Sequence, residues 1–430
     1  MNRQILVLLL LVASVLSGHA DDRRRKHHQP VPDVPPVAIA IEDTIWPESE
    51  DSLLAEGDSL PWEERIRHRL NRLCNGPLSK TSQIGLVVRD LTTGQDIIAH
   101  NPRQRMRPAS CQKLVTAISA LHFLGPGYPV RTELRIDGNI TTDSVLQGDV
   151  CVVGRMDPLL AQGDVYRMAR TLRQAGIKSI NGSVVLDISA RDSVPFGWGW
   201  CWDDKWGPLS ALTVNTKDRF AQEFFNDLDQ EGIVLGPQGF VQGRCPANSR
   251  LLMTVEHTIA QILVRTMKNS DNIHAESVFQ QLAMMSGRPW AGRKQAVAQI
   301  KQLMQQLNIP DEDYQIADGS GLSLYNYLTP QLLVRLLDYA WSETRIRQAL
   351  LPTLPVAGSD GTLEKRMRGT PAAGRVMAKT GTVEGISSLA GYVMAPNGHT
   401  LAFSIINQGV RTTSQGKTFQ DHVCEILSEE

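Results

Sequence analysis

Apolar residues recur at helical spacing in several stretches of the chain and alternate in others. Residues 62–73 have helical spacing, and Asn75-Gly76-Pro77 ends the predicted helix. Residues 82–100 alternate as in a β-hairpin, with a turn at Thr92-Thr93-Gly94. The same patterns predict helices over residues 110–124, 259–267, 274–286, 292–307 and 330–345 and from about residue 418, and strands over residues 385–394 and 400–407.

The pattern changes between roughly residues 130 and 252. Short strand-like pieces, such as Arg131–Asp137 and Gly182–Asp187, are separated there by glycine and asparagine. This stretch predicts an inserted, strand-rich domain of residues 130–252. Residues 61–129 and 253–430 are expected to form together the domain that carries it.

The first 60 residues differ in composition from the rest. Residues 1–20 combine a basic start at Arg3, an apolar run, and small residues at Gly18 and Ala20, which is typical of a cleaved signal peptide. A transmembrane anchor is the alternative, but the apolar run is shorter than the roughly 20 residues that span a bilayer. Residues 21–60 are rich in charge and proline and predict a disordered tether. We therefore expect a periplasmic or secreted protein without a transmembrane anchor after signal cleavage.

Charge and cysteine content limit the possible partners and environment. Lys+Arg total 44 and Asp+Glu total 45, a formal net charge of -1, so the charge balance gives no reason to expect nucleic acid as a partner. The six cysteines are an even number in a compartment where disulfides persist. Cys74 and Cys424 lie in the first and last predicted helices, and a bridge between them would tie the chain ends if those helices pack together. The alternative is that most cysteines are small buried apolar residues, which fits Cys111 best.

Three short strings occur in an order that indicates a single active site. They are Ser110-Cys111-Gln112-Lys113, Ser270-Asp271-Asn272 and Lys379-Thr380-Gly381. A Ser-x-x-Lys string is expected roughly once by chance in a chain of this length, and each tripeptide about 0.1 times or fewer. The combination, and not any one string, therefore indicates an enzyme that transfers acyl groups through an active-site serine.

Ser110 is the predicted nucleophile and Lys113 the predicted base. Residues three apart share one face of a helix, so the Lys113 amine can reach the Ser110 hydroxyl. A serine hydroxyl is a weak nucleophile until a base accepts its proton, and lysine does so only if burial or a second cation lowers its pKa. Lys379 is the candidate second cation. For this string alone, an ordinary Ser and Lys on a surface helix is the alternative.

Ser270 and Asn272 are the predicted residues for the leaving group and the substrate backbone. Ser270 can pass a proton to the leaving amine, and Asn272 offers both a donor and an acceptor to a substrate amide. The string is predicted to form a short connection between two helices, and this connection is expected to face the cleft. Taken by itself, Ser-Asp-Asn is more often a helix-capping or turn sequence.

The third string is expected on a strand at the edge of the active site. Lys379, together with the hydroxyls of Thr380 and Thr382, is suited to hold a terminal carboxylate. Gly381 lets a ligand backbone approach closely, and the backbone amides of Ser110 and Thr382 can form an oxyanion hole. A simple strand with a bulge is the alternative.

With these residues in place, the chain resembles the low-molecular-mass class C penicillin-binding proteins, which are D-alanyl-D-alanine carboxypeptidases and endopeptidases. The resemblance covers nearly everything from about residue 62 to the end. It depends on the strings Pro108–Leu114, Lys268–Asn272, Asp318–Leu322, Leu354–Leu363 and Lys379–Thr382. The fourth of these, Leu-Pro-Val-Ala-Gly-x-Asp-Gly-Thr-Leu, is especially specific.

The resemblance implies an α/β (α+β) fold of the penicillin-binding-protein and serine β-lactamase type. In that fold an antiparallel sheet is flanked by helices and joined to a helical cluster, with the serine between them. The long interval between Ser110 and Ser270 agrees with class C members, which fill it with inserted domains. Larger relatives carry two such domains, whereas one, or a reduced pair, is expected here.

The resemblance also implies a serine DD-peptidase that cleaves peptidoglycan peptides through an acyl-Ser110 intermediate and is acylated by β-lactams. The segment Trp200–Asp204 is similar to the family segment that receives the free amine of the peptide side chain, with Asp203 the first choice and Asp204 the second. Two exposed aspartates beside core tryptophans are the alternative. No cofactor or metal is expected, because the histidines are scattered and no His-Glu-x-x-His string is present.

Two rival functions are a serine β-lactamase and an inactive wall-binding homologue. The first needs a positioned glutamate for rapid deacylation, and no Glu-x-x-Leu-Asn string occurs. The second is disfavoured because Ser110, both lysines, Ser270 and Asn272 are all present. Cleavage of D-Ala-D-Ala termini and of D-Ala-meso-diaminopimelate cross-links are both compatible with the sequence, since each presents a D-Ala carbonyl to the serine.

Overall fold

The computed structural model describes residues 60–204 and 207–429. The predicted signal peptide and nearly all of the predicted tether lie outside these residues. The α-helices are α1 (Trp62–Cys74), α2 (Gln112–Phe123), α3 (Gln162–Gln174), α4 (Phe220–Gln230), α5 (Ile259–Lys268), α6 (Asn272–Met284), α7 (Arg293–Gln306), α8 (Pro330–Ser342), α9 (Thr344–Leu350) and α10 (Thr413–Leu427). Of the helices in this part of the chain, none is long and apolar enough to cross a membrane.

The strands fall into three sheets. They are β1 (Gln83–Asp90), β2 (Gln95–His100), β3 (Pro129–Ile140), β4 (Val145–Val153), β5 (Ser179–Ile180), β6 (Val184–Asp187), β7 (Val234–Leu235), β8 (Phe240–Gln242), β9 (Arg250–Thr258), β10 (Tyr314–Gln315), β11 (Tyr327–Leu328), β12 (Val376–Val383), β13 (Ile386–Met394) and β14 (Thr400–Gln408). Strands β10 and β11 form a small two-stranded sheet. The other two sheets organise the rest of the fold.

A five-stranded antiparallel sheet has the order β12-β13-β14-β1-β2. Strands β13 and β14 are buried almost throughout because helices cover both faces. Successive side chains of a strand point to opposite faces. Leu389 and Phe403 accordingly pack with α1 and α10, while Tyr392 and Ile406 pack with the helical cluster. The predicted fold class, an antiparallel sheet flanked by helices and joined to a helical cluster, is confirmed.

Helix α2 lies at the centre of the helical cluster, in contact with α5, α6, α7, α8 and α9. Residues 112–121 of this helix are all buried, as expected for a helix that is enclosed on every side. The helices predicted from the apolar pattern are confirmed in type. Helix α10 begins at Thr413, earlier than predicted. Gly416 lets its first turn pack closely on Ser387, since a Cβ at residue 416 would lie 2.5 Å from the Cβ of Ser387.

A second sheet is built from residues 129–258. Its seven strands have the order β7-β5-β4-β3-β9, with β6 paired to β4 and β8 paired to β6. Strands β3 and β9 are antiparallel neighbours with Pro129 opposite Thr258, so the chain enters and leaves this sheet at the same place. The predicted boundaries at residues 130 and 252 fall inside β3 and β9, and the division into domains stays a prediction.

Two helices of this region, α3 and α4, were not predicted. The buried face of α3 consists of Val165, Met168, Ala169 and Leu172, which have helical spacing. The signal was therefore present in the sequence, but it lies among short strands that dominate the local pattern. Both helices pack on the apolar core of the second sheet.

All six cysteines are free thiols, so the hypothesis of a bridge between Cys74 and Cys424 is wrong for this structure. Helix α1 does pack against α10, and both cysteines are fully buried in one apolar core. Burial raises the pKa of the Cys74 thiol to about 12 and raises the pKa of Cys424 as well. The neutral thiol is not the reactive form, and these residues act as small apolar side chains.

Candidate active site

Ser110 lies in a short 3-10 turn, Ala109–Cys111, directly before helix α2. The preceding residue, Ala109, has a φ of 44°, a left-handed conformation that is rare for residues other than glycine. Such conformations persist where surrounding packing holds them, and they concentrate at functional sites. The turn leaves Ser110 partly exposed at the start of a helix that is otherwise buried.

The Lys113 amine is fully buried and has three hydrogen-bond partners. Its Nζ lies 2.9 Å from Ser110 Oγ, 2.7 Å from Asn272 Oδ1 and 2.7 Å from the Ser320 carbonyl oxygen. Asn272 Oδ1 and the Ser320 carbonyl can only accept, whereas the Ser110 hydroxyl can also donate. A neutral amine therefore satisfies all three contacts by donating twice and directing its lone pair at Ser110.

The two active-site lysines have lowered pKa values. Burial is the main cause at Lys113 and lowers its pKa to about 8, against the opposing charges of Asp318, Glu276 and Asp271. At Lys379, burial and then the charge of Lys113 lower the pKa to about 7. Burial, more than the second cation proposed from the sequence, thus brings the pKa of Lys113 close to neutral pH.

Lys379 joins the second and third strings. Its Nζ donates to Ser270 Oγ at 2.9 Å and to the Thr380 carbonyl oxygen at 2.7 Å. Ser270 has a φ of 58° and lies in the short connection between α5 and α6, as the sequence predicted for this string. Asp271 caps α6 by accepting the backbone N–H of His274 at 3.2 Å. The capping role seen in the sequence therefore belongs to Asp271, while Ser270 faces the lysine.

Strand β12, the edge strand that carries Lys379–Thr382, runs directly beside the nucleophile. A Cβ on Gly381 would lie 2.6 Å from the Pro108 carbonyl oxygen and 3.0 Å from the Ser110 nitrogen. Only glycine allows a strand this close to the serine backbone. The pairing of β12 with β13 is regular along its whole length, so the alternative of a bulge is wrong.

The threonines of this strand border the site. Thr380 is partly buried and donates its hydroxyl to Thr362 Oγ1 at 2.8 Å, and Thr382 is exposed. Thr362 belongs to the Leu354–Leu363 string. The same string is held by Lys268, whose Nζ donates to Asp360 Oδ2 at 2.5 Å. Strings that are distant in the sequence are thus brought together around one site.

Sequence reasoning assigned no role to Ser320 and Glu276, which both support Lys113. The Ser320 carbonyl accepts from Lys113, and the Glu276 carboxyl accepts the backbone N–H groups of Ser320 at 2.8 Å and of Gly319 at 3.1 Å. A signal was available, because Glu276 follows Asn272 by four positions and so shares its helix face.

The segment around Trp200, which follows strand β6 of the second sheet, contacts the loop that carries Asp318 and Ser320. Trp200 Nε1 donates to Asp318 Oδ2 at 2.9 Å. Asp203 is exposed, whereas Asp204 accepts the backbone N–H of Cys201 at 2.6 Å and so closes the local turn. Asp204 thus has a structural role in this turn, whereas the contacts described here give Asp203 none.

A buried lysine amine within hydrogen-bond distance of a serine hydroxyl, between an antiparallel sheet and a helical cluster, is the arrangement of the penicillin-binding serine enzymes. The model of the D-Ala-D-Ala carboxypeptidase 3 (S13) family matches residues 67–214 and 207–430. The chain belongs to this family, and it is a low-molecular-mass penicillin-binding protein and serine-type D-Ala-D-Ala carboxypeptidase. The resemblance seen in the sequence is confirmed.

Relatives match over most of their length. The D-alanyl-D-alanine carboxypeptidase of Actinomadura sp. is 28% identical over 440 residues, covering 80% of this chain and 81% of the relative. The D-alanyl-D-alanine carboxypeptidase DacB of Haemophilus influenzae is 26% identical over 425 residues, covering 78% and 87%. The crystal structure of penicillin binding protein 4 from H. influenzae superposes with a TM-score of 0.77 at 24% identity, covering 84% of this chain and 99% of that one.

Proposed function

We propose that this protein is a periplasmic serine DD-peptidase that cleaves peptidoglycan peptides through an acyl-Ser110 intermediate, and that β-lactams acylate the same serine. One observation carries the proposal: the buried Lys113 amine lies 2.9 Å from Ser110 Oγ while its other partners are both acceptors. An amine held in this way is poised to take a proton from the serine. Periplasmic location is supported by the pattern of residues 1–20.

Acylation begins when Lys113 accepts the Ser110 proton and Oγ attacks the D-Ala carbonyl. The backbone N–H groups of Ser110 and Thr382 stabilise the negative charge that develops on the carbonyl oxygen. The close approach of β12 to the Ser110 backbone, which Gly381 permits, supports this assignment. Collapse of the tetrahedral intermediate breaks the peptide C–N bond and leaves an ester on Ser110.

The leaving amine takes its proton from Ser270. The Ser270 hydroxyl lies 2.9 Å from Lys379 Nζ, which can replace the proton that the hydroxyl gives up. The amide group of Asn272 is available to the substrate backbone as well as to Lys113. Exchange with solvent then removes the proton from Lys113 and returns one to Lys379. Water attacks the ester: Lys113 accepts a proton from the water and passes it to Ser110 Oγ as the ester C–O bond breaks, which releases the shortened peptide.

Substrate recognition is assigned to the two ends of the site. Lys379 and the hydroxyls of Thr380 and Thr382 bind the terminal carboxylate of the peptide. Asp203, on the exposed segment beside the loop of Asp318, binds the free amine of the peptide side chain. This assignment predicts a preference for substrates that carry both a carboxylate and an amine.

The β-lactam part of the proposal is supported by a relative. Penicillin binding protein 4 of H. influenzae has been crystallised with a novel β-lactam, and that complex matches this chain at 25% identity with a TM-score of 0.72. A β-lactam presents a strained amide carbonyl to the serine, so Ser110 is expected to open the ring and to keep the acyl group.

The test is covalent labelling followed by peptide mapping. Intact-mass analysis after exposure to benzylpenicillin should show one adduct, mapped to Ser110 and absent from Ser110→Ala. Labelling of another residue, or no adduct at all, would contradict the proposal; the second result would favour an inactive homologue. Rapid turnover of a chromogenic cephalosporin would instead identify a β-lactamase.

The balance between carboxypeptidase and endopeptidase activity needs a second measurement. Purified peptidoglycan digested with the protein should yield peptides that have lost a terminal D-Ala, cross-linked peptides cut at D-Ala-meso-diaminopimelate, or both. Mass spectrometry separates these products. Ser110→Ala provides the control for contaminating hydrolases.

A further inference from the structure

Glu276 is a buried carboxyl group that the reaction steps above do not use. It is 5% exposed and lies on α6, one turn after Asn272. Its Oε1 accepts the backbone N–H of Ser320 at 2.8 Å and of Gly319 at 3.1 Å, and its Oε2 lies 3.3 Å from the same Gly319 nitrogen. A carboxyl group in an apolar setting is costly to bury, and here it is directed at one loop.

That loop, which we call the Ser320 loop (residues 318–323), lies against both the base and the nucleophile. The Ser320 carbonyl accepts from Lys113 Nζ at 2.7 Å, and the Gly319 carbonyl accepts from Thr116 Oγ1 at 2.7 Å. Gly321 has a φ of 81°, and a Cβ there would lie 1.9 Å from the Ala109 carbonyl oxygen. The Gly321 backbone thus lies close to the residue that precedes Ser110, and the amides of Gly319 and Ser320 are held by Glu276.

We propose that Glu276 is a positioning residue for the catalytic base: by holding the amides of Gly319 and Ser320, it fixes the Ser320 carbonyl against Lys113. This contact, together with Asn272, takes up the two N–H groups of the neutral amine and directs its lone pair at Ser110. The inference rests on the proposed role of Lys113 as the base. Glu276 touches neither substrate nor the reacting atoms, so it acts only through the loop and through its charge.

The charge of Glu276 gives a readout that a purely structural residue would not affect. Burial and then the charge of Asp318 raise the pKa of Glu276 to about 8, and in its ionised form Glu276 raises the pKa of Lys113. The other titratable or charged groups that act on Glu276 or Lys113 are Asp318, Asp271, Arg191, Lys379 and Cys111. Glu276 is mostly neutral well below pH 8 and ionises in the same pH range in which Lys113 loses its proton. Removing the Glu276 charge therefore lowers the pKa of Lys113 only near and above pH 8, and acylation should reach its maximum at a lower pH.

The test compares two variants of the full chain. Glu276→Gln keeps one carbonyl oxygen for the loop amides and removes the charge, whereas Glu276→Leu removes both. Benzylpenicillin acylation is followed by mass spectrometry from pH 5 to 9. For Glu276→Gln we expect rates close to wild type at the optimum and below about pH 7, where Glu276 is neutral, with the optimum itself reached about half a pH unit lower. For Glu276→Leu we expect a rate about 10- to 100-fold lower at every pH, because the base is misplaced.

Asp90→Asn is the matched control. Asp90 is 2% exposed and also accepts a backbone N–H, that of Thr92 at 2.8 Å, but it lies in the hairpin of β1 and β2. Its replacement should leave the pH profile of acylation unchanged. Circular dichroism establishes that each variant is folded, and Glu276→Gln keeps the side-chain size if Glu276→Leu does not fold.

Two results would overturn the inference: a Glu276→Gln profile that coincides with wild type, or a folded Glu276→Leu variant with the wild-type rate. A wild-type protein that penicillin does not label is a different result. It would refute the proposed function, and the inference with it. Labelled wild type with unaffected Glu276 variants refutes the positioning role alone.

Discussion

Replacement of Lys113 by methionine tests the assignment of the catalytic base. Methionine keeps an unbranched side chain of similar length, so the buried space stays filled, but it lacks the amine that lies 2.9 Å from Ser110 Oγ. General-base catalysis contributes about 10²- to 10⁴-fold to a rate. We expect penicillin acylation of Lys113→Met to be slower than wild type by a factor in this range.

The stability of the variant decides whether a lost rate reflects chemistry. Methionine leaves Asn272 Oδ1 and the Ser320 carbonyl without a donor, at a cost of about 1–3 kcal/mol each. Folding lowers the pKa of Lys113 from 10.5 to about 8. Burying its ammonium form therefore costs about 3 kcal/mol at pH values below about 8, and this cost fades as the pH rises towards 10.5. The lost hydrogen bonds destabilise the variant, whereas removal of the buried ammonium group stabilises it. The variant should therefore stay folded at pH 7.

The assay is intact-mass analysis of the acyl-enzyme in reactions quenched at set times, and thermal unfolding is measured on the same protein preparations. Lys80→Met is the control, because Lys80 is exposed and lies outside the three strings. It should acylate at the wild-type rate. If folded Lys113→Met reacts as fast as Lys80→Met, Lys113 is not the base and the mechanism proposed for Ser110 is wrong.

Three further outcomes are expected. Gly381→Ala should acylate at least about tenfold more slowly and unfold at a lower temperature, since its Cβ would lie 3.0 Å from the Ser110 nitrogen; a wild-type rate would contradict the close approach of β12. Wild-type acylation should rise with pH up to about 7, because Lys113 must lose its proton to act as base, and fall above about 8, because Lys379 must keep its proton to resupply Ser270; a rate independent of pH between 5 and 7 would count against this. Asp203→Asn should raise KM for peptides with a free side-chain amine and leave penicillin labelling unchanged, whereas Asp204→Asn should affect neither; equal effects of the two variants would remove Asp203 from recognition.

The apolar pattern was sufficient for the helices of the cluster and for the β1–β2 hairpin. Helix α2 could be predicted because apolar residues such as Leu114, Ile118 and Leu121 recur at helical spacing, and the hairpin because its residues alternate around a glycine-containing turn. Helices α3 and α4 were missed, although the apolar face of α3 has helical spacing. Short strands surround them, and which pattern prevails there depends on packing against the second sheet.

The sequence by itself determined the class of enzyme, because three strings in a fixed order supply the proposed nucleophile, base and carboxylate-binding strand. Only the tertiary structure decided the surroundings that suit Lys113 to its proposed role as base. Its pKa depends on burial, and its lone pair is directed by Asn272 and by the Ser320 carbonyl, which lies 207 positions away in the chain. Spacing within a string fixes which side chains share a helix face, whereas desolvation and long-range hydrogen bonds arise only when the distant segments pack together.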